Sequence, residues 1–255
     1  MSLKVSILGS GSATPTSKRL STAQALSINE TIYLIDCAEG TQMQIRRYKI
    51  KLQRIKAIFI THLHGDHVFG LPGLLASLSM IDRKEPLSMY GPPPLKEWLK
   101  TYTNFFSSPE YQLDIHTLTS RVAEIIYEDK NVTVSSFPLK HGIPTYGYLF
   151  TEKRSARSYA CCTDTVYKED LAELIKDVDL LYHEATYGNE RKTRAKETYH
   201  CTAEDAAKIA LAAGAGKLVI GHFSARYKDV SNLLNEARNI FPNTDAAEDG
   251  AVFTI

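Results

Sequence analysis

The stretch THLHGDHVFG, residues 61–70, sets three histidines and an aspartate within six consecutive positions and then turns apolar. Imidazole and carboxylate are donors that hold zinc when brought to within about 2 Å of one ion. If AIFITH is a strand running into a loop, His62 and His64 point to one side of its end, and Asp66 and His67 come from the turn that follows. Two clusters of donors result, enough for two adjacent ions. Such a centre needs further ligands, one of them a carboxylate able to bridge. The chain offers His141 after SSFPLK, Asp164 after YACCT and His222 after KLVIG, each at the end of a strand-like run. A lone histidine in such a place is more often a core or surface residue, so the weight comes from all of them sharing one topological position. His116, in LDIHTL, shares none of these features and reads as structural.

The elements that must position these residues follow from hydrophobic period. Strand-like runs occur at LKVSILG, AQALSI, TIYLID, AIFITH, LSMYG, NVTVSSF, TYGYLFT, SYACCT, LLYHEA, KLVIGH and AVFTI. Helical patterns lie between many of them: GTQMQIRRY, FGLPGLLASLSMI, PPPLKEWLKTYTNFF, KEDLAELIKD, TAEDAAKIALAAGA and SNLLNEARNIF. Thr202 before Glu204 and Asp205 is a good helix start, with acids near the positive end of the dipole. The mixture predicts sheets covered by helices, an α/β (α+β) chain folded as one domain over residues 1–255.

With 255 residues, 44% of them apolar, the chain can bury a large core. A net charge of +1 excludes a global field that would draw it to nucleic acid or membrane, so a polyanion must be held by local patches. Four cysteines, two of them adjacent (Cys161 and Cys162) and none in a C-x-x-C pair, imply a reduced, cytoplasmic setting. No signal peptide and no membrane span are expected.

Through H-x-H-x-D-H at 62–67 the chain resembles the metallo-β-lactamase superfamily. LGSGSATPTSKR, LIDCAEGTQ at 34–42, HEAT at 183–186, HCT at 200–202, GHFSARY and FPNTDAAEDG narrow the resemblance to RNase Z, the endonucleases that trim precursor tRNA 3′ ends. The resemblance implies a four-layer αββα sandwich and two zinc ions per subunit. His62, His64 and His141 would hold one ion, Asp66, His67 and His222 the other, with Asp164 bridging. Asp66 would orient the attacking hydroxide and take its proton. Glu184 and His200 would form a carboxylate–imidazole dyad that protonates the leaving 3′ oxygen. His183 falls on the opposite face of the strand and reads as buried support. A structural zinc site fits poorly, since no Cys-rich tetrahedral set exists, although manganese or iron also suits histidine and aspartate.

Candidate RNA contacts are the loop residues Lys18 and Arg19, then Arg191, Lys192, Arg194 and Lys196 before His200, and Ser224 and Arg226 after His222. RRYKIKLQRIK, residues 46–56, carries six basic residues and no acid, and a solvated helix end is its blander reading. Two features depart from the family. Only 22 residues separate His141 from Asp164, where RNase Z enzymes extend an arm that grips the tRNA elbow. A short basic hairpin over residues 146–160, its tip offering Lys153, Arg154 and Arg157, stands in its place. Thr163 occupies a position where the family commonly has glycine. The alternative to precursor tRNA is therefore a smaller phosphodiester or a generic RNA 3′ end. An RNA-binding module without turnover fits badly with every metal and acid position filled, and a thioester hydrolase has no need of the dyad. The family also implies a homodimer.

Overall fold

A computed structural model describes residues 3–105 and 108–255. The first half comprises β1 (Lys4–Gly9), β2 (Gly11–Ser12), β3 (Ala23–Ile28), β4 (Thr31–Ile35), α1 (Thr41–Arg47), β5 (Ile55–Phe59), α2 (Gly65–Val68), α3 (Leu71–Met80), β6 (Leu87–Gly91), α4 (Pro94–Phe105) and β7 (Leu113–Thr117). The second comprises β8 (Glu124–Glu128), β9 (Val132–Leu139), β10 (Thr145–Glu152), β11 (Ser158–Cys162), α5 (Leu171–Leu174), β12 (Leu180–Glu184), α6 (Lys192–Glu197), α7 (Ala203–Ala212), β13 (Lys217–Gly221), β14 (Phe223–Ser224), α8 (Ser231–Arg238), β15 (Thr244–Ala246) and β16 (Val252–Thr254).

Two seven-stranded sheets form, ordered β16-β1-β3-β4-β5-β6-β7 and β15-β13-β12-β11-β10-β9-β8. Alternation in the central strands explains the layering. In β4 and β5, Tyr33, Ile35, Ala57 and Phe59 join the core shared with the second sheet. Their neighbours Ile32, Leu34 and Ile58 join a separate core with Ile45 of α1, Leu74, Leu75 and Leu78 of α3, and Leu95 and Leu99 of α4. Phe59 centres the first core, its ring 5.1 Å from Tyr90, 5.4 Å from Tyr148 and 5.2 Å from Phe150. The expected sandwich of sheets covered by helices is observed.

Strand direction places the functional residues. β4 to β7 run parallel, as do β11, β12, β13 and β15. β9 and β11 both pair antiparallel to β10 and so run the same way. The carboxyl ends of β9, β11, β12 and β13 therefore lie along one edge, where open α/β sheets present their loops. A two-stranded ribbon, Gly11 with Phe223 and Ser12 with Ser224, ties the N-terminal loop to the segment after β13.

Differences from expectation concentrate at sheet edges. β7, β8 and β15 lacked a strand signal and are all edge strands, where one flank needs no apolar partner. KEDLAELIKD yields only the single turn α5, and α6 in KTRAKE has no apolar face to announce it. Phe106, at the end of the pattern expected over α4, lies outside the described residues. The capping box at Thr202 forms as expected, with Asp205 reciprocating. Because Phe59 packs against rings from both sheets, Phe59→Ala is expected to lower unfolding free energy by about 3–5 kcal/mol in denaturant titration; a loss below about 1 kcal/mol would contradict this packing.

Candidate metal centre

Five loops at strand ends supply the polar cluster. His62 and His64 follow β5, and Asp66 and His67 sit on α2, the turn entered at His64. His141 follows β9, Asp164 follows β11, Glu184 ends β12 and His222 follows β13. Asp164 and His222 both take left-handed backbone conformations, with φ of 47° and 59°. Non-glycine residues adopt this region at a cost, and such positions cluster at functional sites. The departure at Thr163 therefore leaves the unusual backbone on the aspartate itself.

The side chains meet as two triads. One ligand atom each from His62, His64 and His141 lies within 4.8 Å of the others, and the same holds for Asp66, His67 and His222. His62 Nε2 is 3.0 Å from His64 Nδ1, which is 3.3 Å from His141 Nε2. Asp164 stands between the triads, its Oδ2 3.2 Å from His67 Nε2 and 3.4 Å from His222 Nε2, its Oδ1 4.0 Å from His141 Nε2. Asp66 Oδ2 is 3.7 Å from both His67 Nε2 and His222 Nε2, and accepts the Ala13 amide at 2.7 Å.

The outer ring nitrogens are already committed. His67 Nδ1 donates to Asp36 Oδ2 at 2.7 Å, and His141 Nδ1 to the Tyr199 carbonyl at 3.0 Å. Thr186 Oγ1 donates to Glu184 Oε2 at 2.6 Å, so it accepts from His222 Nδ1 at 3.0 Å. With Nδ1 engaged on the outer side, each ring turns its Nε2 inward. The Nε2 atoms of His67 and His222 are buried with no hydrogen-bond partner, a costly condition that a metal ion relieves.

Charge points the same way. Burial works against ionisation of Asp66 and Asp164, yet the surrounding imidazoles hold both pKa values below the ordinary carboxylate range. Burial likewise opposes protonation of His67, yet Asp36 and Asp164 push its pKa well up. Burial, reinforced by neighbouring imidazoles, lowers His62 and His64 and keeps them neutral. The cavity thus favours positive charge among buried carboxylates that no lysine or arginine faces among the described residues. The donor set fits metal ions.

Beside it lies a carboxylate–imidazole pair. His200 Nδ1 donates to Glu184 Oε1 at 2.9 Å, and Glu184 also accepts the Thr165 amide at 2.8 Å. Burial lowers the His200 pKa, but the charge and hydrogen bond of Glu184 outweigh it and raise the value to about 9. An imidazolium 3.6 Å from Asp164 results at neutral pH. A bridge between Tyr187 and Thr202 fixes the two loops together. His183 is fully buried, with Nδ1 on the Glu184 carbonyl.

The remaining candidates are dispersed. Lys18, Arg191, Lys192, Arg194 and Arg226 are exposed, and Ser224 lies in β14 beside His222. Arg194 pairs with Glu197 at 3.2 Å. Arg19 is half-buried, donating to the Tyr227 carbonyl with its guanidinium over Phe223. Sequence reasoning assigned no role to Asp36, which also binds the Thr61 amide at 2.8 Å, nor to Thr186. Asp36 carried a usable signal, since it directly follows β4 as His222 directly follows β13.

Residues 31–223 match the β-lactamase superfamily domain. Ribonuclease Z of Bacteroides fragilis is 38% identical over an alignment of 297 residues that covers 98% of each chain. Ribonuclease Z of Azobacteroides pseudotrichonymphae is 40% identical over 284 residues, covering 99% of this chain and 98% of the relative. Both alignments exceed the 255 residues of this chain, so these relatives carry stretches that it lacks. The crystal structure of the short form of human tRNase Z superposes with a TM-score of 0.86 at 32% identity, covering 98% of both chains. Similarity of this extent, on a chain whose strand ends gather the donors the motif requires, leaves one conclusion: the chain belongs to the ribonuclease Z family of the β-lactamase superfamily.

Proposed function

We infer that this protein is a metal-dependent endoribonuclease that removes the 3′ trailer from precursor tRNA and leaves a 3′ hydroxyl. The observation that carries the reading is the pair of donor triads sharing Asp164 beside the Glu184–His200 pair. In this proposal His62, His64 and His141 would hold one zinc ion and Asp66, His67 and His222 a second, with Asp164 available to both. Such a pair supplies an activated water at neutral pH and neutralises charge building on a phosphate.

The protein's own groups do the rest. Asp36, Thr61, Thr186 and the Tyr199 carbonyl fix the rings so that their lone pairs converge. Asp66, oriented by the Ala13 amide, accepts the proton of the attacking water. As the new P–O bond forms and the bond to the 3′ oxygen breaks, His200 gives its proton to that oxygen. Glu184 keeps the ring charged until then. The products are a 3′ hydroxyl on the tRNA and a 5′ phosphate on the trailer. Lys18, Arg191, Lys192, Arg194, Ser224 and Arg226 are proposed to steer the RNA backbone, and Arg19 to stiffen its loop.

The chain is proposed to act as a homodimer in the cytoplasm. All four cysteines are free and buried, in keeping with a reducing compartment. No described helix is long and apolar enough to cross a membrane. A smaller phosphodiester remains the second reading, favoured by the 22-residue interval between His141 and Asp164. Within it, the 146–160 hairpin that we propose in place of the arm has its Lys153 paired with Glu128.

His200→Ala is expected to slow cleavage about a hundredfold or more while zinc content stays at wild-type level; zinc lost together with activity would remove the acid role. Zinc-loaded protein should cut precursor tRNA once, just after the discriminator base, and prefer it to the detached acceptor stem. Equal cutting of both, or turnover of small phosphodiesters alone, would remove the tRNA assignment.

A further inference from the structure

The surface cations differ sharply in how they are engaged. In the β10–β11 hairpin, Lys153 lies 2.5 Å from Glu128, Arg157 lies 2.6 Å from Glu152, and Arg157 also donates to the Ile255 carbonyl. β10 leaves the site edge at Thr145 and β11 returns to it at Cys162, so the turn lies roughly 25 Å away along the strands, at the edge where the β3–β4 turn carries Glu30.

The segment after α1 is different. Arg46, Lys49, Lys51 and Arg54 line one groove of about 520 Å³ that contains no carboxylate. Among them only Arg54 has an acidic partner within the described residues, the exposed Glu30 at 3.3 Å. Lys49 turns the chain at the end of α1 with a left-handed φ of 58°, at the position where glycine is the usual residue.

Arg47, the neighbour of Arg46, lines a separate cleft of about 490 Å³ with Lys18, Arg19, Glu39 and Asp249, and the first two of these lie on the loop whose Ala13 amide holds Asp66. α1 starts near the edge where β4 ends and runs away from it, and Arg54 precedes β5 at the opposite edge beside Glu30, so the groove lies roughly 15–20 Å from the metal centre along the outside of the first sheet. A duplex carries one charge per ~1.7 Å of axis, so a path of this length faces several phosphates.

We propose that the groove of Arg46, Lys49, Lys51 and Arg54 holds backbone phosphates of the RNA duplex whose 3′ end enters the metal centre. It supplies the grip on the tRNA body that the paired cations of the hairpin do not. The proposal rests on the reading of the substrate as precursor tRNA. Its test is the combined variant Arg46→Gln, Lys49→Gln and Lys51→Gln of the full chain. Fluorescently labelled precursor tRNA is titrated over a series of potassium chloride concentrations, beside turnover of bis(p-nitrophenyl) phosphate.

The dissociation constant is expected to rise about tenfold or more, and the salt slope of log affinity to fall by roughly two to three. Small-substrate turnover should stay at the wild-type rate, showing an intact centre. Unchanged affinity and slope would overturn the proposal, as would equal loss from Lys153→Gln with Arg154→Gln. Mapping the product ends tests the substrate reading separately: wild-type protein that binds RNA through the groove but cuts no precursor tRNA would end that reading and leave the groove standing.

Discussion

The molecule is organised around buried negative charge at one edge of a sandwich. Asp36, Asp164 and Glu184 are almost inaccessible to solvent, and each faces imidazole rather than a fixed cation. Carboxylates in such a place are tolerable only if paired or bound to metal. Asp164 faces the inward Nε2 atoms of His67 and His222, whereas Asp36 and Glu184 each accept from the Nδ1 of a ring, His67 and His200. One edge thereby holds a cation cavity and a proton donor side by side, separated by a single threonine hydroxyl at Thr186.

That arrangement constrains the fold around it. Strands deliver their carboxyl ends to a common edge, where β5 leads to four of the groups and β9, β11, β12 and β13 to one each. The β2–β14 ribbon and the Tyr187–Thr202 bridge then stitch the loops together, so that Asp66 meets the Ala13 amide and His200 meets Glu184. Phe59, the centre of the ring cluster, lies on the same strand that leads to His62, linking core packing to the position of the first donors of the polar cluster.

Much of this was legible in the sequence because imidazole and carboxylate are good metal donors and here they stand at or just beyond strand ends. His62, His64, Asp66, His67, His141, Asp164 and His222 announced themselves by type and place, and they converge. The supporting groups did not, since a threonine hydroxyl or a Tyr199 carbonyl has no signature until the fold brings it to a ring. Asp36 sat inside the quoted motif LIDCAEGTQ without a role, because its work is done through His67. Strands β7, β8 and β15 were silent because an edge buries too little to impose a period. The charge pattern of residues 46–56 was visible at once, but only the pairing of Lys153 and Arg157 with acids separates the two basic segments.

The central claim is that the two triads each hold an ion and share Asp164. Crystals grown with zinc and measured at the zinc absorption edge test it most directly. The account predicts two anomalous peaks, one among His62, His64 and His141 and one among Asp66, His67 and His222, with an Asp164 oxygen at each. A single peak, or an Asp164 turned away from both, would contradict it.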